Sequence, residues 1–192
     1  MRHDGQVTVI ARPATASDAS RLAEVAALTF PLACPPGTQL VDIARFVTTV
    51  LSEGAFERYL ADPARRVLLV VDDHDGDAGA EGAETTLGYA MLVGGEPSDA
   101  AVAAVVPTRP TVELSKFYLV PDQHGSGAAG VLMGAVLDAA RSTRASSAWL
   151  GVNQQNARAR AFYAKHGFER VGVKQFVVGA ETHDDFVLAR TL

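Results

Sequence analysis

A run of small residues at positions 125–130 is suited to binding a phosphate. Five of its six residues are glycine or alanine, and the sixth is Ser126. A helix leaves its first N–H groups without intrahelical partners and with partial positive charge, so small residues there let a phosphate or diphosphate reach the main chain. The run lacks the Lys-Ser/Thr ending of a P-loop, and no Gly-x-Gly-x-x-Gly motif opens directly after the preceding strand. Tight packing of a helix on a sheet would use the same residues, so both interpretations stay open at this point.

Asn156 and Tyr163 form a second pair of residues that could contact a ligand. They are two turns apart on a predicted helix, so their side chains lie on one face. The alternative is structural: Asn156 caps the helix, and Tyr163 is a core aromatic whose hydroxyl reaches the surface.

These residues need elements to hold them, and the apolar pattern predicts a chain of alternating strands and helices. Strands are predicted at residues 7–12, 67–71, 87–93, 111–120, 148–152, 168–178 and 186–192. Helices are predicted from the caps at Thr15 and Ser17 to a stop formed by Pro31 and residues 34–37, as one or two segments within 40–59, at 127–143 and at 156–166. The strands at 67–71 and 87–93 are expected to form a hairpin, residues 94–110 are ambiguous, and residues 179–185 are predicted to be a polar turn. Strands mixed with crossover helices indicate an α/β or α+β sheet rather than a sandwich or a bundle.

Length and composition are typical of one soluble domain. The chain has 192 residues, 48% of them apolar and 20% charged, so it can bury a core and is not disordered. Its net charge of −5 argues against a protein that binds nucleic acid mainly through phosphate contacts. Cys34 is the only cysteine, which excludes an internal disulfide and a thiolate metal cluster. There is no bilayer-spanning apolar run and no signal-peptide pattern, so we expect a single cytoplasmic domain over residues 1–192 with no membrane partner.

Together, the two segments resemble the GNAT superfamily of acetyl-CoA-dependent N-acetyltransferases. The family's phosphate turn has the pattern Gln/Arg-x-x-Gly-x-Gly/Ala, and residues 124–129 match it with His124 in place of Gln or Arg. Its second pattern is an Asn, a helix ending in Phe-Tyr, and a Gly-Phe strand start. The matching residues are Asn156, Phe162, Tyr163, Gly167 and Phe168. The resemblance is clear in the C-terminal part of the chain, whereas residues 31–110 match only in the order of strands.

The resemblance implies a fold and a set of site residues. The fold is a mixed, mostly antiparallel central sheet with a splayed pair of central strands, flanked by about four helices. Main-chain groups of Phe117, Tyr118 and Leu119 would pair with the pantetheine arm of acetyl-CoA like an added strand. Asn156 would contact the cofactor, and Tyr163 would lie near its sulfur. The diphosphate would be held by the turn, which consists of His124, Gly125, Ser126, Gly127, Ala128, Ala129 and Gly130.

The chemistry of amine acetylation explains the use of a tyrosine and a carboxylate. A leaving thiolate has a pKa of about 8.5, whereas a phenol with a pKa of about 10 stays protonated at neutral pH and can serve as general acid, the role implied for Tyr163. A primary amine with a pKa of about 10.4 is neutral in only ~1 part in 2,500 at pH 7, so a base that removes its proton is valuable. Glu113, which precedes the pantetheine-contacting segment, is the candidate base, directly or through water. The alternative for Glu113 is a strand carboxylate in an ordinary salt bridge.

The C-terminal tail resembles the bacterial branch of the superfamily that acetylates polyamines. In that branch an aromatic, a glycine, a glutamate and an aspartate recur before a strand, as in residues 176–188. We therefore expect a small-molecule amine as acceptor, with polyamines favoured, and acetyl-CoA as donor with no metal. Asp42, Glu53 and Glu57 on the acceptor-side helices could attract a polycation. Two alternatives stay open: a protein or peptide N-terminal acetyltransferase, and a non-catalytic acyl-CoA-binding module.

Other candidate sites are weaker. A set of acidic residues follows calcium-loop spacing: Asp73, Asp75, Asp77 and Glu84. Ala78 replaces the glycine that such a loop needs, and strands flank it. We interpret the acidic and histidine residues within 181–185 as an exposed turn, and Cys34 as a small loop residue rather than a nucleophile. Superfamily members often pair through edge strands, so the resemblance is compatible with a homodimer.

Overall fold

The strands and helices follow the predicted order along the chain. The computed structural model describes residues 7–34, 37–74, 84–121, 127–179 and 181–192. The strands are β1 (Val7–Pro13), β2 (Arg65–His74), β3 (Thr85–Gly94), β4 (Thr111–Leu119), β5 (Ser147–Asn153), β6 (Glu169–Val178) and β7 (Glu181–Thr191). The α-helices are α1 (Ala19–Ala33), α2 (Leu40–Val50), α3 (Glu53–Ala61), α4 (Ala100–Val105), α5 (Ala128–Ser142) and α6 (Ala157–Lys165). None of the helices in these ranges is both long and apolar enough to cross a membrane.

One sheet of seven strands runs through the described ranges, in the order β1-β2-β3-β4-β5-β7-β6. Neighbouring strands are antiparallel except β4 and β5, which run parallel. β2 and β3 form the expected hairpin, with Leu69 opposite Tyr89. A parallel pair needs a crossover connection, and α5 lies in the connection between β4 and β5. This mixed, mostly antiparallel sheet with helices confirms the predicted fold class.

Helices cover both faces of the sheet and define two cores. α5 packs on β1, β2 and β3, where Leu132 and Val136 are buried. α1 and α3 cover the opposite face, where Leu22 and Phe56 are buried against strand residues that include Leu69. Fully burying a side chain of this size stabilises the fold by about 1.5–3 kcal/mol, so both faces contribute strongly to holding the sheet.

Helix α5 forms where its apolar period predicts it. Leu132, Val136 and Ala140 recur every fourth residue, which places them on one stripe facing the sheet. Gly127 precedes the first helical residue with φ of +82°, a left-handed conformation that glycine adopts without steric cost. The helix predicted at residues 127–143 is therefore confirmed to within one residue at each end.

The helix stop predicted at Pro31 and residues 34–37 is wrong for Pro31, because α1 continues through Pro31 to Ala33, but it is confirmed at Cys34, where the helix ends. A proline removes one helical hydrogen bond, but it does not prevent another turn when packing holds that turn in place. Phe30 is buried and stacks on Phe46 with ring centroids 4.4 Å apart, which fixes the C-terminal end of α1.

The predicted polar turn at 179–185 is too long, because β7 already begins at Glu181. Val178 pairs with Glu181 around a turn at Gly179, whose φ is +61°. Main-chain pairing does not depend on side-chain polarity, so a polar segment can extend a hairpin beyond its apolar part. Residues 94–110, which the pattern left ambiguous, contain α4, and Asp99 caps it by accepting a hydrogen bond from the Ala101 N–H at 2.8 Å.

Candidate functional site

The two central strands separate after a short parallel ladder. β4 and β5 pair over three residues each, from Thr111 with Ser147 to Glu113 with Trp149. From there β4 continues to Leu119 beside β3 alone, while β5 continues beside β7 alone. The separation confirms the predicted splay and leaves a gap in the middle of the sheet, which we call the central gap.

Phe117, Tyr118 and Leu119, the residues predicted to pair with pantetheine, lie on the strand that borders the central gap. On their other side they pair with residues 88–90 of β3. A strand directs its N–H and C=O groups alternately to its two edges, so part of this segment faces the gap. An extended ligand with amide groups can therefore add to the sheet at this position.

None of the described residues covers the N-terminal end of α5. Gly127 and Gly130 are exposed, and a Cβ placed on either would meet no atom of other described parts of the chain within 4 Å. Ala128 is fully buried and anchors the start of the helix, whereas Ala129 is half-buried. The first N–H groups of a helix carry partial positive charge, so these residues fit an approaching diphosphate. His124, Gly125 and Ser126 lie outside the described residues.

Tyr163 is enclosed by aromatic rings beside β4. Only 9% of its surface is exposed, and its ring centroid lies 6.2 Å from that of Phe117 and 5.9 Å from that of Phe168. Burial raises the pKa of Tyr163, and the nearby phenol of Tyr118 raises it further. The hydroxyl therefore stays protonated at physiological pH and can act as a proton donor, which a general acid requires.

Tyr118 belongs to the opposite face of the sheet. Its ring packs with the core under α1 and α3, 5.6 Å from the ring centroid of Tyr89. Burial raises the pKa of Tyr118, and the neighbouring groups of Cys34 and Asp185 raise it further. Tyr118 and Tyr163 are thus electrostatic neighbours although their rings pack in different cores.

Asn156 is the N-cap of α6. Its side-chain oxygen accepts a hydrogen bond from the Ala159 N–H at 3.0 Å, which confirms the capping interpretation. Gly167 follows the helix with φ of +77°, as expected for a residue just past a helix end. A contact between Asn156 and a cofactor stays a prediction. The amide nitrogen is the group available for it, since no described residue bonds to that nitrogen.

Glu113 lies half-buried on the face opposite Tyr163. Its strand neighbours Val112 and Leu114 both point into the core beneath α5, so the side chain of Glu113 points to the other face. Its carboxylate makes no hydrogen bond, and no ion pair within 4 Å, with any described residue. The salt-bridge alternative is therefore not supported.

The surroundings of Glu113 favour a proton-accepting role. Burial raises the pKa of Glu113, and three cations oppose that effect: Lys174, Lys116 and Arg65. A carboxylate whose pKa is raised binds a proton more strongly than an exposed glutamate does, which suits a proton acceptor.

Glu113 and Tyr163, the two predicted catalytic residues, thus lie on opposite faces of the sheet. The central gap between β4 and β5 opens toward both faces. A reactive carbonyl in the gap could be approached from the Glu113 face while its leaving group departs toward Tyr163. Base and acid on opposite sides of one carbonyl suit acyl transfer to a nucleophile.

Sequence reasoning missed Lys174 and did not assign Asp185 to this site. Lys174 lies on edge strand β6, directly opposite Asp185 in the β6–β7 ladder. Its Nζ is 5.6 Å from the centroid of the Trp149 ring, beside Glu113. Period-two alternation places Lys174 and Phe176 on one face, which was the available signal, but the strand order β5-β7-β6 was needed to bring that face to Glu113.

The other candidates do not form sites in the described ranges. No group of three or more His, Cys, Asp or Glu side chains there is placed to hold a metal ion. Glu84 instead pairs with Arg12 and Arg21, at 2.6 and 2.7 Å, and much of the acidic loop lies outside the described residues. Burial raises the pKa of the Cys34 thiol, which is the opposite of what a nucleophilic cysteine needs.

The comparisons with known proteins identify the family of this chain. The sequence profile of the Acetyltransferase (GNAT) family matches residues 40–168. An uncharacterized N-acetyltransferase of Mycobacterium tuberculosis is 46% identical over 176 residues, which cover 92% of this chain and 99% of the relative. The chain belongs to the GNAT acetyltransferase family and is an acyltransferase whose donor is acetyl-CoA.

Solved structures share the fold at low sequence identity. The PaiA N-acetyltransferase of Thermoplasma acidophilum, in complex with coenzyme A, has a TM-score of 0.68 at 17% identity, covering 96% of this chain and 99% of that one. The ribosomal-protein-S18-alanine N-acetyltransferase of Escherichia coli has a TM-score of 0.62 at 14% identity, with 96% and 94% covered. Such similarity establishes the architecture and leaves the acceptor open.

Proposed function

We propose that this protein acetylates a primary amine of a small molecule by direct attack of the amine on the thioester of acetyl-CoA. The observation that carries the proposal is the central gap, with the protonated phenol of Tyr163 on one face and the half-buried carboxylate of Glu113 on the other. Transfer through a gap needs no covalent enzyme intermediate, and Cys34, whose pKa is raised by burial, is not suited to form one.

The chain supplies main-chain groups for the donor. The gap-facing groups of residues 117–119 would hold the pantetheine amides as an added strand. The first turn of α5, with Gly127 and Gly130 open to approach, would hold the diphosphate. The amide nitrogen of Asn156 is the further contact. When bound, the donor supplies the reactive thioester.

Glu113 on one face and Tyr163 on the other would then each carry out one of the two proton transfers. As the bond from the amine nitrogen to the acetyl carbon forms and the carbon–sulfur bond breaks, Glu113 accepts the proton of the amine, directly or through water. Tyr163 donates its proton to the departing sulfur. Solvent then restores both groups, so the net products are the acetylated amine and coenzyme A.

Cover over the acceptor face favours a small acceptor. Phe46 of α2 stacks on Phe30 of α1 and meets Phe176 of β6 edge-on, with centroids 6.2 Å apart. Helix α2 therefore bridges α1 and β6 on the face that carries Glu113. An extended polypeptide needs an open groove, whereas a small amine can enter beside this bridge.

Polyamines are the acceptor class we place first. Asp42 of α2 lies in contact with Gly179 in the β6–β7 turn. With Glu113, the carboxylate of Asp42 gives the acceptor side negative charge that complements a polycation. Glu53 and Glu57 are exposed on α3 and contribute only a diffuse field.

The test is acetyl transfer by the wild type and by Tyr163→Phe, followed as thiol release with polyamines, amino acids, aminoglycosides and N-terminal peptides. We expect turnover with at least one small amine, and a loss of about 100-fold or more in kcat for Tyr163→Phe at nearly constant KM for acetyl-CoA. Tyr59→Phe is the matched control, since the Tyr59 hydroxyl donates a hydrogen bond to the Val50 carbonyl, with 3.0 Å between the two oxygens.

Three outcomes would redirect the proposal. Faster turnover of peptides than of any small amine would favour an N-terminal acetyltransferase. Binding of acetyl-CoA without turnover of any acceptor would favour a non-catalytic module. A parallel loss of rate and cofactor affinity in Tyr163→Phe would mean that this tyrosine is structural.

A further inference from the structure

The charge of Glu113 lacks a close partner. The carboxylate is half-buried between Val93 of β3 and Trp149 of β5, its register neighbours. Within the described part of the chain it has neither a hydrogen bond nor an ion pair inside 4 Å. Burial of a carboxylate favours its neutral form, which cannot accept a proton. A base at this position therefore needs a cation held at slightly longer range.

Lys174 is placed to supply that cation from the far edge of the sheet. Its stem lies across Gly151 of β5, where an added Cβ would be 2.5 Å from Lys174 Cε and 3.1 Å from its Nζ. The Nζ lies 5.6 Å from the centroid of the Trp149 ring. The side chain thus extends from β6 across β7 to β5, where it ends beside Trp149, the register neighbour of Glu113. Because Gly151 has no side chain, there is room for the lysine at this point.

The other cations near Glu113 are held on the side of α3. Arg65 of β2 pairs with Asp62 at 3.0 Å and lies over the Tyr59 ring at 4.7 Å. Lys116 lies 5.9 Å from the same ring, and burial lowers its pKa to about 8. Arg65 is therefore ion-paired with Asp62 rather than with Glu113. Lys116 loses part of its positive charge at mildly alkaline pH.

We propose that Lys174 is a positioning residue that keeps Glu113 ionised, and that Gly151 is small so that the lysine stem can cross β5. This inference rests on the proposed role of Glu113 as base. Asp185 lies beside the same lysine side chain, with its Oδ2 3.3 Å from the Cβ position of Gly151. It helps to hold the Lys174 ammonium over β5.

The experiment is the pH dependence of kcat/KM for Lys174→Met, Lys174→Arg and Gly151→Ala. Loss of a cation near a carboxylate raises its pKa, so we expect the acid limb of Lys174→Met to move up by about one pH unit. Lys174→Arg should restore it. Gly151→Ala should move it in the same direction, because its methyl group displaces the flexible end of Lys174 at little cost to the fold. Gly134→Ala, on the exposed side of α5 with open space at its Cβ position, is the control and should not move it.

Glu113→Gln separates the two hypotheses. If Glu113→Gln abolishes the acid limb and Lys174→Met leaves the limb in place, the inference about Lys174 is overturned and the base assignment stands. If the acid limb persists in Glu113→Gln, the base assignment itself fails. If Lys174→Met does not fold, the test rests on Gly151→Ala. An acid limb of kcat/KM that stays at the wild-type pH in Gly151→Ala would then overturn the inference about Lys174.

Discussion

An ionic network joins β1 to Asp18 and to Glu84, the residue before β3, and a change in its charge has a predictable effect on stability. Arg12 of β1 lies between two carboxylates, with Nη1 2.9 Å from Asp18 and Nη2 2.6 Å from Glu84. Only 7% of the Asp18 side chain is exposed. The perturbation we choose is Asp18→Asn, which keeps the shape of the side chain and removes its charge.

The magnitude follows from the bonds that Asp18 accepts. Its carboxylate takes bonds at 2.9 Å from each Nη of Arg12, and at 2.8 and 3.0 Å from the N–H and hydroxyl of Thr15. Asparagine keeps one oxygen acceptor but turns an NH2 group toward the guanidinium or the Thr15 N–H. Loss of charge-assisted bonds in a largely buried pair costs about 2–4 kcal/mol of unfolding free energy at pH 7. For a domain of this size that lowers the Tm by about 5–15 °C.

The pH dependence has a definite sign. Hydrogen bonds from Arg12, and then those from Thr15, hold the pKa of Asp18 well below its usual range, although burial opposes them. A carboxylate with a lowered pKa in the fold stabilises it fully above its unfolded pKa of about 3.9, and this contribution is lost as the pH falls further. The difference between wild type and Asp18→Asn should therefore be full at pH 7 and shrink below about pH 4.

Urea unfolding between pH 7 and pH 3.5 checks both statements. Asp138→Asn is the control, because Asp138 is 79% exposed in its ion pair with Arg141 and such pairs contribute about 0–1 kcal/mol. A destabilisation by Asp18→Asn below about 0.5 kcal/mol at pH 7 would refute the reasoning about the network. So would a difference that stays constant down to pH 3.5.

Two further variants test the site. Gly130→Asp places a carboxylate in the first turn of α5, so we expect about tenfold or greater loss of coenzyme A affinity by calorimetry. The Tm should be unchanged or raised, because an acidic residue is favourable at the start of a helix. Unchanged affinity would exclude the diphosphate from this turn. Lys116→Met should raise the unfolding free energy by about 1 kcal/mol or more near neutral pH. Burial lowers the folded pKa of Lys116 to about 8 against about 10.4 unfolded, so the gain should be full below pH 8 and fade by about pH 10.4; a gain independent of pH would refute the charge explanation.

Local patterns determined those features that depend on neighbours along the chain. The period of Leu132, Val136 and Ala140 fixed α5, and the cap and end residues Asn156 and Gly167 fixed α6, because helix signals act within a few residues. The splay of β4 and β5 followed from the family resemblance rather than from periodicity, since no local pattern records where two parallel strands part.

Features that depend on packing between elements far apart in the chain could not be predicted from the sequence. Pro31 remains inside α1 because Phe30 stacks on Phe46, a contact between two helices. Lys174 reaches the surroundings of Glu113 because β7 and β6 add to β5 in that order, and because Gly151 clears the path. Neither fact has a signature within a single window of sequence.

The parting of β4 and β5 has a cost for the free protein. Each strand carries an inner edge whose N–H and C=O groups have no neighbouring strand among the described residues, and such edges are templates for aggregation. Outer edges are commonly protected by charges, prolines or bulges, but under the proposed function the inner edge of β4 pairs with the donor and needs regular main-chain geometry. We therefore expect colloidal stability to follow donor supply: a cell short of acetyl-CoA would hold this enzyme in its most aggregation-prone form.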